Sequence, residues 1–279
     1  MKRNINILLL TLLLAFASCS FTTKTFDNDP DKDKLLIQLI TYVLEQGHFE
    51  PAMIDDDFSE GVFYDYLDQL DPFKRYFLAS DIKEFEAYKD KIDDQIMNYD
   101  LTFFNLTHER LLQRIEESKA IYKEVLSQPF DYSVKEDFNA DYENLEWVNS
   151  KKELKERWRQ QLKFSSIANY HDLVAEQEGK LKDDVDMADK DLENLNDAQV
   201  EKAFKTDENK KVVAKRSLKE LEKESREATL RSLDELYYFI DDRERKDWFA
   251  VFINAAVEEF DPHTYYLAPK SKEDFDQKM

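Results

Sequence analysis

Glu259-Phe260-Asp261-Pro262-His263-Thr264-Tyr265-Tyr266-Leu267-Ala268-Pro269 is the stretch on which the reading of this chain turns. It follows an apolar run at helical spacing (Trp248, Phe249, Phe252, Ala255, Ala256, Phe260) and precedes Ser271-Lys272-Glu273-Asp274, which fits a capping box opening another helix. Proline disfavours helical backbone in the residue before it and has no amide to donate, so Asp261-Pro262 predicts a helix end. A related stretch stands near the front: Leu70-Asp71-Pro72-Phe73-Lys74-Arg75-Tyr76-Phe77-Leu78-Ala79-Ser80. With one residue deleted, the two align at Asp-Pro, at aromatic-aromatic-Leu-Ala, and at a charged helix carrying Phe85 or Phe275. The expectation is one device used twice: a helix, an Asp-Pro stop, a buried plug (Tyr76, Phe77, Leu78; Tyr265, Tyr266, Leu267) and a new helix. By spacing alone, each is a packed corner that fixes the angle between two helices.

Composition narrows the fold to an all-α, multi-helix domain with long helices. The chain has 279 residues, 42% of them hydrophobic, but only 3 Gly and 6 Pro, too few for a fold rich in hairpins. Gly47, Gly61 and Gly179 stand alone, so phosphate loops, oxyanion loops and carboxylate-binding loops, which expose amides through glycine, have no material here. A net charge of −21 argues against nucleic acid as a partner, since phosphate binding needs clustered Lys and Arg. The charge reads as a solvated acidic surface.

The front of the chain reads as a targeting signal. Met1 to Asn4 is basic, Ile5 to Ala15 is apolar and too short to span a bilayer, and Phe16-Ala17-Ser18 leads into Cys19, the one cysteine. Small residues before such a cysteine resemble a bacterial lipobox, with residues 1–18 removed and Cys19 lipidated. An ordinary secretory leader with an incidental cysteine is the alternative. Lipidation at Cys19 would place the chain in the periplasm, anchored to a bilayer. Residues 19–34 are polar and without helical period, a tether.

Residues 35–262 read as the helical domain. Leu35, Leu36, Leu39, Ile40, Val43 and Leu44 recur at helical spacing, with Gly47 as a C-terminal cap. Phe58 to Leu70 forms a second helix that runs into the first Asp-Pro. A third is expected to start at Ser80 as N-cap, with Ile82, Phe85, Ile92 and Ile96 as its stripe. Asp100 caps a long helix through Val125, and Gln128-Pro129 stops it. Residues 130–149 carry five aromatic residues among acids and read as an ordered loop laid over the core. Ser150 to Glu153 is a capping box, residues 180–211 form a charged, variable and mobile insert, a helix resumes near Arg216, and the last helix follows Asp242. Residues 263–279 are a connection, ending on an open capping box and Phe275 as a chain cut in mid-architecture would.

Phe260-Asp261-Pro262-His263-Thr264-Tyr265-Tyr266-Leu267-Ala268-Pro269 closely resembles the Asp-Pro-His-Thr-x-Tyr-Leu-x-Pro segment of tail-specific (carboxyl-terminal processing) proteases, peptidase family S41. Tyr66 to Ile82 resembles the same family's Tyr-Leu-Asp-x-Leu-Asp…Tyr-Phe-Leu-x-Ser-Asp-Ile segment. The resemblance implies a helical N-terminal domain, with Asp261, Pro262, His263, Thr264, Tyr266, Leu267 and Pro269 forming the corner toward a PDZ domain. Asp71, Pro72, Tyr76, Phe77 and Leu78 form the other corner. It implies unfolded or tail-bearing protein substrates, PDZ and Ser-Lys protease domains elsewhere in the same chain, and a possible lipoprotein adaptor as partners. No residue here matches the catalytic Ser or Lys, so none is assigned catalysis. His48, His108, His171 and His263 stand in no zinc pattern, Asp55-Asp56-Asp57 lacks the rest of a calcium loop, and no cofactor is expected. A free-standing helical lipoprotein serving as a binding or adaptor module is the other reading.

Overall fold

The computed structural model describes residues 30–47, 53–193 and 216–268, with side chains left out of account at Pro30 and over 180–193. Eight α-helices and one 3₁₀ turn occur among the described residues, joined by irregular segments, and no strand occurs among them. The helices are α1 (Pro30–Gly47), α2 (Asp56–Leu70), α3 (Ala79–Phe85), α4 (Ile92–Met97), α5 (Thr102–Leu126), α6 (Lys151–Glu193), α7 (Leu218–Asp241) and α8 (Arg245–Phe260). The chain divides into two compact units, one of residues 1–114 with 242–279 and one of residues 115–241.

In the first unit, α1, α2, α4 and α8 pack on one another around an aromatic core. Tyr66 of α2 meets Phe252 of α8 edge-on at 5.2 Å, and Phe104 of α5 meets Phe249 at 4.9 Å. Such pairs contribute about 0.5–1.5 kcal/mol each beyond the area they bury. Local chemistry sets the helix ends. Asp55 accepts the Phe58 N–H at 3.2 Å to start α2, and Asp100 accepts the Thr102 N–H at 3.0 Å to lead into α5. The Asp55-Asp56-Asp57 run is thus a cap followed by first-turn acids, favoured there by the helix dipole.

Three expectations for this unit need correction. Helix α1 begins at Pro30, so residues 30–34 belong to it and not to the tether. Pro at the first position and Asp31 and Asp33 in the first turn suit a helix start without any apolar stripe. The helix expected from Ser80 starts instead with Leu78 at the N-cap position, where the Asp81 carboxylate reaches back to the Leu78 N–H at 2.9 Å. Nor does that helix run on to Ile96. It ends at Phe85, passes through a 3₁₀ turn, and restarts as α4 at Ile92. Ser59 of α2 fixes the restart, taking the Asp93 N–H at 2.7 Å and donating to the Asp93 carboxylate at 2.6 Å. Helix α4 closes with Tyr99 at φ 56°, where Asp100 N bonds Gln95 O at 2.7 Å and Tyr99 N bonds Ile96 O at 3.2 Å. That is a Schellman closure made without glycine.

The second unit is built on α6 and α7, packed along their length. Tyr122 stacks on Tyr237 at 4.8 Å over buried Trp158, and its hydroxyl donates to Asp234 at 2.9 Å. A polar seam follows, with Ser166 Oγ 3.1 Å from Ser225 Oγ and Asn169 donating to Thr229 at 3.2 Å. The aromatic residues of 130–149 are all half-buried, as expected for rings laid on a core; Phe138 stacks on Phe164 at 4.6 Å, and the Tyr132 hydroxyl meets Ser166 at 2.7 Å. Ser150 accepts the Glu153 N–H at 3.3 Å, and the reciprocal bond lands one residue early, on Asn149 N at 2.9 Å. A reciprocal pair, Ser217 with Glu220, opens α7. Helix α6 continues to Glu193, so residues 180–193 of the expected insert are helix. The rest of the insert, 194–211, lies outside the described residues. Lys, Leu, Met, Ala and Glu form helix well without a stripe to bury, their opposite charges fall at helical spacing with the intervening Asp, and no proline interrupts them.

Candidate functional site

Both Asp-Pro corners lie in the first unit, and they share a skeleton. Asp71 ends α2 and Asp261 ends α8, each in the C-cap position, their N–H groups bonding Leu67 O at 3.0 Å and Val257 O at 2.9 Å. In each, the Asp carbonyl closes a turn three residues on: Lys74 N to Asp71 O at 2.9 Å, Thr264 N to Asp261 O at 3.0 Å. The proline sits exposed inside the turn, where its missing N–H costs nothing.

Beyond the turn they differ. At the first corner Lys74 adopts φ 49°, and the chain curls so that three amides converge on the Asp71 carboxylate. Arg75 N donates to Oδ1 at 2.8 Å, and Tyr76 N and Phe77 N to Oδ2 at 3.0 Å each. Asp71 is fully buried; burial pushes its carboxyl up from the ordinary value, against the pull of these amides and of Arg75. Tyr76, Phe77 and Leu78 are buried, and Phe77 meets Phe85 edge-on at 5.4 Å. The plug expected there is present.

Asp81 continues the first corner into the core. It accepts Arg114 Nε and Nη2 at 2.8 Å each and also takes Arg110. Burial opposes its charge, but the bonds from Arg114, the Leu78 amide and Arg110 outweigh it and hold the carboxyl below the usual range.

The second corner does not form a buried plug. Asp261 accepts His263 N at 3.1 Å and the Thr264 hydroxyl at 2.6 Å, and no positive-φ residue curls the chain. The exit is gripped instead by Asn254, a buried side chain of α8. Asn254 Oδ1 takes Tyr266 N at 2.7 Å, and Asn254 Nδ2 donates to Tyr266 O at 3.1 Å. Exposure alternates along the exit: Tyr266 and Ala268 are half-buried, while Tyr265 (60% exposed) and Leu267 (38%) face out. His263 projects into solvent beside Asp261, its Nδ1 3.4 Å from Oδ1. Pro269 and Cys19 lie outside the described residues.

Asn254 carried a signal that spacing arguments passed over: an amide side chain set between Ile253 and Ala255 in an otherwise apolar run. No group of three or more His, Cys, Asp or Glu among the described residues could hold a metal ion. What the corners can do is mechanical: one turns the chain inside the unit, and the other ends α8 and aims the exit.

Residues 40–270, which take in both corners, match the family of the tail specific protease N-terminal domain, and the chain belongs to that family. Among particular proteins it is similar to the tail-specific protease of Haemophilus influenzae, at 24% identity over 250 residues, covering 89% of this chain and 29% of that one. The chain thus spans under a third of the length of that relative.

Proposed function

We propose that this chain is the front of a periplasmic serine protease that processes or degrades envelope proteins from their C-termini, anchored to the bilayer through a lipid on Cys19. Its substrates are unfolded or tail-bearing proteins, its nearest partners are PDZ and Ser-Lys protease domains of the same polypeptide, and a lipoprotein adaptor can deliver substrate. The helical domain's part is to set where the chain leaves α8, through Asp261, Thr264 and Asn254. The observation that carries this reading is the family match reaching to residue 270, across the exit at Tyr266 that Asn254 grips.

The test uses the whole protein, purified from membranes. An unfolded reporter with a free apolar C-terminus should be cleaved, and the same reporter with a charged C-terminal extension should survive. A serine-directed reagent should stop the reaction. Equal cleavage of both reporters would overturn the tail-dependent reading.

A further inference from the structure

Helix α1 is apolar on two opposite faces. Ile37, Thr41 and Leu44 point into the first unit and are buried. Opposite them, Leu35 (63% exposed), Leu39 (57%), Tyr42 (64%) and Val43 (54%) recur at i, i+4, i+7 and i+8 and face out. Gln38 and Gln46 fill out that side, and Glu45, at its border, is the one charge from Leu35 to Gln46, in a chain where 36% of residues are charged. The apolar surface continues onto Met97 and Tyr99 at the end of α4, across a groove of about 320 Å³ where Leu35, Leu39 and Tyr42 stand beside Gln38, Thr41 and, at the border, Glu45.

We infer that this outer face of α1 rests on the phospholipid bilayer to which Cys19 is anchored, an inference built on the lipid reading of that cysteine. Three observations favour that occupant. The face belongs to the first described helix after Cys19, and the chain from Cys19 to Pro30 reaches at most about 40 Å when fully extended. A tether that short gives an effective concentration in the millimolar range, so a contact too weak to hold from free solution persists once the chain is anchored. Tyr42 and Tyr99 put amphipathic rings at the edge of the patch, the side-chain type that sits at headgroup level. A net charge of −21 repels anionic lipid, so the contact is an apolar one and needs no anionic headgroup.

The sequence supplies a clean probe. Cys19 is the one cysteine and acylation consumes its thiol, so an introduced cysteine is the single labelling site. The lipidated protein carrying Leu39→Cys or Leu112→Cys, with a nitroxide attached, is reconstituted into vesicles of zwitterionic phospholipid. Leu112, on α5, is 44% exposed and serves as the reference. Collision with oxygen, which concentrates in the bilayer, is compared with collision with a water-soluble nickel chelate; flotation of the vesicles is read in the same samples. The expected result is a several-fold higher oxygen-to-nickel ratio at position 39 than at 112. That difference should vanish in a soluble Cys19→Ala form. Floating protein with a water-exposed label at 39 overturns the inference and leaves the anchor standing. Protein that fails to float overturns both. A label at 39 shielded equally in the Cys19→Ala form assigns the face to a second copy or to another segment of the chain, and also overturns it.

Discussion

The carboxylate of Glu259, on α8, lies against the backbone of Gly61, on α2, so closely that a Cβ at position 61 would overlap it. The glycine lets the two helices meet through a carboxylate, and that carboxylate has negative company. Burial first, then repulsion from Asp65, raises the Glu259 carboxyl; burial first, then Asp68, raises Asp65. A carboxyl whose folded value lies above its unfolded value favours the fold when protonated. Stability from this pair should therefore rise as pH falls from neutral through the folded values and level off below the ordinary carboxylate range. Glu259→Gln should raise the melting temperature at pH 7 and flatten the rise on acidification. A lower melting temperature at pH 7 would contradict this. Gly61→Ala should gain about 1 kcal/mol of helix propensity in a Glu259→Ala background and less in the parent, where the carboxylate must move.

The two corners should respond unequally to matched substitutions. Asp71→Ala strands three amides in the core, where a hydrogen bond to a charged group is worth about 1.5–3 kcal/mol, so a loss of 3 kcal/mol or more is expected by roughly that scale. Asp261→Ala removes one amide bond and one hydroxyl bond at a half-exposed turn and should cost about 1 kcal/mol. Phe77→Ala should cost about 3–5 kcal/mol, and Tyr265→Ala, at the exposed position that aligns with buried Tyr76, close to none. Denaturant titration of the four variants checks the order, and equal losses at Phe77 and Tyr265 would mean that the second corner is packed after all.

Asp81 works against the pair at Gly61 as pH falls. Its carboxyl is held below the usual range, so its contribution is complete above the unfolded carboxylate value and is lost as pH falls through the lower folded one. Acid unfolding should begin there. Removing one partner of a buried ion pair costs about 3–5 kcal/mol, and Asp81→Asn should lose that order of stability at pH 7 while weakening the acid transition. Arg114→Lys should recover part of the charge but not the two-pronged geometry, and should fall between the two. An unchanged acid midpoint in Asp81→Asn would place the acid trigger elsewhere.

Much of the fold was legible because helix ends are local chemistry. Asp100, Ser150 and the two Asp-Pro pairs announce starts and stops within a few residues of themselves. What escaped depends on distance or on backbone conformation. The Asp81–Arg114 pair spans α3 and α5, and nothing near Asp81 marks its partner. The positive φ of Lys74 decides that Tyr76 to Leu78 turn inward, yet a lysine gives no sign of it. The corresponding Tyr265 to Leu267 segment follows the same Asp-Pro letters without that twist; Asn254 holds its Tyr266 backbone, and two of its three residues face outward. Helix α6 ran on through charged sequence because absence of an apolar stripe argues against burial, not against helix.

Asn254 is the residue whose substitution best separates the mechanical reading of the second corner from a merely structural one. Its side chain makes both bonds of a strand-like pair with the Tyr266 backbone, and loss of a buried hydrogen-bonding partner costs about 1–3 kcal/mol. Asn254→Ala should therefore lower the melting point modestly and leave the helical unit folded. In the whole protein, the exit from α8 would lose its fixed direction, and tail cleavage should fall by a much larger factor than stability alone explains. Asp261→Ala and Thr264→Ala should show the same imbalance more mildly, because they hold the turn and not the exit. Asn254→Asp keeps the acceptor for Tyr266 N–H but loses the donor to Tyr266 O, and its cleavage should lie between the parent and the alanine variant. The measurement is melting temperature and tail cleavage on the same preparations. Proportional losses in both across the series would leave the corner as packing and nothing more.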